Sequence, residues 1–185
     1  MYLKENLKFN YKIGPIIELD PEILNSSSGL ILINANKKPP HLAVFCLSKY
    51  YSVSVNDVHI GIDIDMILEY IHRKKVPTIF IPLKESFALE NVDLLFKDYD
   101  HLSDKMTCLH PIKKLFSNIN GISDIDFIYE LIPLLNKLNM IQQYFHIYAD
   151  DFICEEKFQL RTYTMDQIKD HIKKVDNDNR QKSTT

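Results

Sequence analysis

A chain of 185 residues with a net charge of −3 has the length of one domain with a hydrophobic core and is short for two. Hydrophobic residues make up 45% of it and charged residues 25%, which is the balance of a soluble globular protein. Lys and Arg are spread along the chain, so charge gives no reason to expect a nucleic acid or an anionic membrane as a partner.

The cysteines and the N-terminus indicate the compartment. Cys46, Cys108 and Cys154 are an odd number without close spacing, which argues against the disulfide framework of a secreted protein. The opening segment MYLKENLKFNYKIGPIIELD has scattered charges and no apolar run, unlike a signal peptide. No segment has the ~20 apolar residues that cross a bilayer. We therefore expect a cytoplasmic protein with reduced cysteines and no membrane span.

The first predicted elements are three strands. Gly29 precedes the apolar run LILINA (30–35), which has the length of a buried strand. Two prolines then indicate a loop, because proline cannot join a strand ladder. HLAVFCL (41–47) and the alternating YYSVSVN (50–56) follow as two strands joined by a short turn.

A helix, a strand and a second helix are predicted next. Asp63 or Asp65 can cap a helix over MILEYIHRK, whose apolar residues have helical spacing. TIFIPL (78–83) has the pattern of a strand. FALENVDLLFKDY places its apolar residues on one helical face.

Pro111 locates the start of the following helix. Proline fits only the first helical turn, so the helix begins near Thr107 and places Cys108 in that turn. Asn118 to Gly121 then end it. Unpaired N–H groups and the helix dipole stabilise a thiolate at such a position, so the sequence predicts a lowered pKa for Cys108.

The C-terminal part is predicted to be rich in helix. Asp124 can cap a helix that runs to about residue 147 with a kink or interruption at Pro133. KFQLRTYT (157–164) has the pattern of a late strand.

The last predicted helix has a capping box at its start. Thr164 and Gln167 have the spacing of such a box ahead of MDQIKDHIKKV, whereas DNDNRQKSTT has no apolar residue. We therefore expect a single α+β domain over residues 1–175 and a disordered polar tail over 176–185. Its fold is predicted to be a small, mainly antiparallel sheet with helices packed on it.

His41 and Cys108 are the candidate catalytic residues. A thiol and an imidazole are the minimum equipment for nucleophilic catalysis by cysteine, in which the imidazole acts first as base and then as acid. His41 follows the proline loop at the leading end of a strand, where its side chain can face a cleft. The alternative is structural, because a buried cysteine is usually an inert hydrophobe and a single histidine is usually satisfied locally.

The order of these pieces supports the catalytic interpretation. GLILINA, HLAVFC, YYSVSV, MILEYIHRK and TIFIPL, followed by a cysteine that opens a helix, resemble the circularly permuted branch of the NlpC-type papain-like superfamily. That branch includes YiiX-like proteins and relatives of lecithin retinol acyltransferase. The resemblance covers about residues 29–120 and implies a permuted papain-like fold.

The resemblance also implies roles for individual residues. Cys108 would be the nucleophile, His41 the base, and the orienting polar residue would lie on the next strand, which offers Ser52 and Ser54. Serine orients an imidazole weakly compared with a carboxylate. HLAV stands where HVGI is usual, and no polar pair follows the cysteine. These departures leave open a pseudoenzyme, or His110 as the neighbour of the thiol.

The predicted activity is that of a papain-like cysteine hydrolase or acyltransferase acting on an amide or an ester. Its substrate could be a peptide, a peptidoglycan fragment or a lipid ester. One rival is a non-catalytic interaction module that binds a partner protein through the helical region 124–148, with Tyr144, Tyr148 and Phe152 exposed. Another is an α/β domain unrelated to papain.

No metal and no cofactor are predicted. Cys108, His110 and His101 lack the paired spacing of zinc ligands. Asp63 and Asp65 are explained by helix capping, since the twelve-residue loop pattern of a calcium site is absent. No glycine-rich phosphate loop is present.

Overall fold

The computed structural model of the protein describes residues 11–99 and 106–182. This part of the chain forms two mostly antiparallel sheets with α-helices packed on them, so the predicted α+β class is confirmed. The permuted papain-like arrangement within that class stays a prediction.

Ten strands occur in the described residues. In chain order they are β1 (Lys12–Ile13), β2 (Ile16–Glu18), β3 (Ser28–Ile33), β4 (His41–Cys46), β5 (Lys49–Val53), β6 (Val58–Asp63), β7 (Thr78–Pro82), β8 (Tyr144–Ile147), β9 (Ile153–Cys154) and β10 (Lys157–Gln159). The large sheet has the order β2-β8-β7-β3-β4-β5-β6, and the small sheet has the order β1-β10-β9. Only the β2–β8 pair is parallel among the paired strands of the described chain.

Six α-helices connect or cover these strands in the same part of the chain. They are α1 (Ile23–Ser26), α2 (Ile64–Lys74), α3 (Leu89–Lys97), α4 (Leu109–Leu115), α5 (Ile128–Lys137) and α6 (Met165–Lys182). Short 3-10 helices cover Ile122–Asp124 and Asp150–Phe152. No helix of the described residues combines the length and the apolar content needed to span a bilayer.

The central strand β4 separates two hydrophobic cores. Leu42 and Val44 belong to the larger core, which also includes residues of α3, α4 and α5. Ala43 and Phe45 belong to the smaller core, to which α2 contributes. Alternate residues of a strand point to opposite faces, so β4 is buried on both sides, as its unbroken apolar sequence predicts.

The predicted elements of the first half are found with small shifts. The strands expected from residues 30, 41, 50 and 78 correspond to β3, β4, β5 and β7. Asp63 caps α2 by accepting a hydrogen bond from the N–H of Asp65 at 3.2 Å, as expected. The additional strand β6 was not predicted, because its residues are half-buried and Gly61 interrupts the apolar pattern.

The helix predicted from Asp124 to about residue 147 is found only in part, as α5, and Pro133 lies inside this helix without interrupting it. Helix α5 ends at Lys137, and Asn139 takes a left-handed backbone conformation with a φ of 56°. The chain then forms β8, whose Tyr144 and Phe145 are buried against the sheet. Pairing of β8 with β7 therefore overrides the helical pattern of this segment.

The C-terminal elements also differ in extent from the prediction. The late strand expected over 157–164 is limited to the short β10. The predicted capping box is present, since Thr164 and Gln167 exchange hydrogen bonds of 2.9 and 3.3 Å. The tail predicted to be disordered from residue 176 is instead helical through Lys182, and residues 183–185 lie outside the described chain.

Candidate active site

A cavity of about 480 Å³ lies at the leading end of β4. His41 at the start of β4, Ser54 in the turn after β5 and Cys108 just before α4 all line it. The structure therefore brings together three of the four residues that the sequence singled out.

His41 is the first residue of β4 and pairs with Ile33 of β3. Its side chain is half-buried. The pKa of His41 is lowered to about 4, mainly by burial and also by positive charge at His59 and at His171. The imidazole is therefore neutral at physiological pH and has a lone pair with which it can accept a proton.

Cys108 occupies the cap position immediately before α4 and is half-buried. Burial raises the pKa of its thiol, although the backbone N–H groups of Leu42 and of Cys108 itself act in the opposite direction. The predicted lowering of this pKa is therefore wrong, because desolvation outweighs the amide groups of a helix of only seven residues.

The thiol and the imidazole rest as a neutral pair. No hydrogen bond joins Cys108 to His41 among those formed by the described residues. The raised pKa of Cys108 and the lowered pKa of His41 both keep the proton on sulfur. Hydrogen bonds between catalytic groups are often long or poorly aligned in ligand-free enzymes and tighten when a substrate binds.

Ser52 and Ser54 form hydrogen bonds with residues other than His41. The hydroxyl of Ser54 accepts from the N–H of Asp57 at 3.0 Å and donates to its carbonyl at 2.9 Å, which closes the β5–β6 turn. The hydroxyl of Ser52 lies 3.2 Å from Nδ1 of His59. Neither serine hydrogen-bonds to His41, so the structure shows no orienting contact of the predicted kind.

His110, the alternative neighbour of the thiol, has a local role. Its Nδ1 accepts a hydrogen bond of 2.9 Å from the N–H of Thr107. The ring thus satisfies an amide group at the start of α4, and it is absent from the cavity lining. His41 therefore remains the better candidate for the base.

Helix α6 and the turn before it bring further residues to the cavity that the sequence pattern did not predict. Tyr163 and His171 both line it. Tyr163 is buried, and its hydroxyl accepts a hydrogen bond of 3.2 Å from the N–H of Ile128. The helical spacing of Ile168, Ile172 and Val175 marks an inward face of α6, but this spacing does not say what the face covers.

The region 124–148, predicted as a helical surface for a partner protein, has a different structure. Tyr144 is only 5% exposed because it lies in the sheet, and Phe152 is half-buried. Tyr148 is 38% exposed, and its hydroxyl lies 3.1 Å from Nδ1 of His72. The segment 124–148 is therefore not an exposed helical face.

No metal centre is formed by the described residues. They contain no group of three or more His, Cys, Asp or Glu side chains that could hold a metal ion. His101, considered with Cys108 and His110, lies outside the described part of the chain.

No protein-family model, curated protein or solved structure matches the chain. What the fold and the cavity define is an α+β protein with a half-buried thiol and a half-buried imidazole facing one cavity.

Proposed function

We propose that the protein is a cysteine hydrolase or acyltransferase that acts on an amide or an ester, with Cys108 as nucleophile and His41 as base. The observation that carries the proposal is the shared cavity, which Cys108, His41 and Ser54 all line. These are positions that the papain-like resemblance implies. If these residues were ordinary core residues, there would be no reason for them to line the same cavity.

The neutral pair is compatible with such chemistry. As the sulfur of Cys108 attacks the carbonyl carbon, its proton passes to His41. The imidazolium then forms beside a developing negative charge, which compensates the cost of charging His41 in a half-buried site. The leaving group departs and a thioacyl intermediate remains, which water or a second acceptor resolves.

The backbone amides near the sulfur supply the electrostatic part of the site. The N–H groups of Leu42 and Cys108 favour negative charge on the sulfur. Fixed amide dipoles in a partly dehydrated cavity stabilise a developing anion without reorganisation. These two groups are therefore the candidates for stabilising charge during acyl transfer.

The proposed chemistry limits the substrate only to an amide or an ester. A cavity of about 480 Å³ accommodates a small acyl group and part of its leaving group. A peptide, a peptidoglycan fragment and a lipid ester all remain proposals. The absence of disulfides among Cys46, Cys108 and Cys154 agrees with a cytoplasmic location, which is also a proposal.

Hydrolysis of p-nitrophenyl butyrate tests the proposal. We expect Cys108→Ala to abolish turnover above the uncatalysed rate and His41→Gln to reduce it at least ~100-fold, the scale of general-base catalysis. Cys154→Ala is the matched control, because Cys154 is exposed and does not line the cavity. Turnover that survives Cys108→Ala would refute the assignment.

A further inference from the structure

Helix α6 forms one wall of the cavity. Ile168, Ile172 and Val175 line it at helical spacing, and His171 lines it beside them. The capping box at Thr164 holds the start of this helix. Ile168 is buried, so α6 is anchored at the end from which His171 projects.

His171 and His41 line the same cavity, one from α6 and the other from β4. Positive charge at His171 also contributes to the lowered pKa of His41. Their environments differ, because His41 is half-buried in the sheet and His171 is exposed on the helix. The ring of His171 is open to water on one side, whereas burial holds the ring of His41 neutral.

Two groups of the same type in different environments can divide acid and base roles between them. We propose that His171 is a second catalytic imidazole, which protonates the leaving group while His41 accepts the proton of the Cys108 thiol. This inference rests on the proposed function of the cavity. With His171 as the acid, the half-buried ring of His41 does not have to act as both base and acid.

The protons balance over one hydrolytic cycle. In acylation the S–C bond forms, the S–H proton passes to His41, and the bond to the leaving group breaks as that group takes the proton of His171. In deacylation water gives a proton to His171 and attacks the thioacyl carbon. The C–S bond then breaks, and the sulfur of Cys108 recovers its proton from His41. No oxidant, metal or further co-reactant is needed.

Two esters with the same acyl group separate this role from a structural one. p-Nitrophenolate is a weak base that leaves without protonation, whereas ethoxide needs an acid, so only acylation by ethyl butyrate should depend on His171. We expect His171→Gln to slow acylation by ethyl butyrate about 100-fold and acylation by p-nitrophenyl butyrate less than about threefold, each measured as leaving-group release in a single turnover, before deacylation. His72→Gln is the control, because His72 is an exposed helical imidazole that does not line the cavity.

The outcomes distinguish this inference from the proposed function. Equal effects of His171→Gln on the acylation rates of both esters, or no effect on either acylation rate, would overturn the role of His171 while leaving Cys108 as the nucleophile. A p-nitrophenyl butyrate rate that does not depend on Cys108 would overturn both. Loss of the ethyl ester rate alone, with the His72→Gln rates unchanged, supports the assignment.

Discussion

At the scale of single residues, the site is a neutral thiol facing a neutral imidazole. The positions of Cys108 and His41 in the fold were predictable from the sequence, because prolines locate both the loop before β4 and the first turn of α4. Their pKa shifts were not predictable, because desolvation depends on what distant parts of the chain place around each group. His171 was missed for the same reason, since nothing in the sequence of α6 indicates the cavity that it covers.

The lowered pKa of His41 predicts a pH dependence of stability. The unfolded chain binds a proton at this histidine near its ordinary pKa of 6.5, whereas the folded protein binds it only near 4. The unfolded state therefore holds more protons between these values, and stability falls as pH falls through that window. We expect His41→Gln to remove on the order of 2 kcal/mol of this dependence, measured by urea unfolding at pH 4.5 and pH 7.

A matched comparison gives this prediction its control. His110 also has a pKa lowered by burial, but it lies outside the cavity lining. His110→Gln should therefore leave the part of the dependence due to His41 in place. An NMR titration that finds the imidazole of His41 protonated near pH 6.5 would contradict the account.

At the scale of elements, the hairpin of β3 and β4 positions the site. The two strands pair over their full length, and this register sets the place of His41 at the leading end of β4. The apolar runs of both strands predicted them correctly. Strand β8 was predicted as helix, because its place is decided by pairing with β7 rather than by local pattern.

Gly29 makes this hairpin sensitive to a single methyl group. A Cβ at this position would lie 2.3 Å from the carbonyl oxygen of Ile81 and 2.7 Å from the ring of Phe45. We expect Gly29→Ala to lower the free energy of unfolding by about 3 kcal/mol, because a packed core has no room to yield. Urea unfolding monitored by far-UV circular dichroism measures the effect.

Gly61 is the matched position for this experiment. Its φ is +64°, and its nearest contact to an added Cβ would be 3.7 Å from the hydroxyl of Tyr51. Gly61→Ala therefore meets backbone strain without a clash and should cost about 1 kcal/mol. An equal or larger loss at Gly61 would show that the close approach at Gly29 is not the dominant effect.

At the scale of the whole molecule, the cavity depends on the topology. The loop before β4, the turn after β5, the start of α4 and the C-terminal helix meet at one end of the large sheet. The α+β class agrees with the run of three consecutive strands that the sequence predicts before its helices. The strand order could not be predicted from the sequence, because it joins segments that are far apart in the chain. It places β8 beside β7 and β7 beside β3.

The most direct test of the central claim is acyl transfer to individual cysteines. After brief exposure to p-nitrophenyl acetate and an acid quench, peptide mass spectrometry measures acetylation at Cys46, Cys108 and Cys154. The account predicts that Cys108 is acetylated faster than the exposed Cys154, and that His41→Gln removes this advantage, because the base and the amide dipoles act only in the cavity. Slower acetylation of Cys108 than of Cys154, unchanged by His41→Gln, would contradict it.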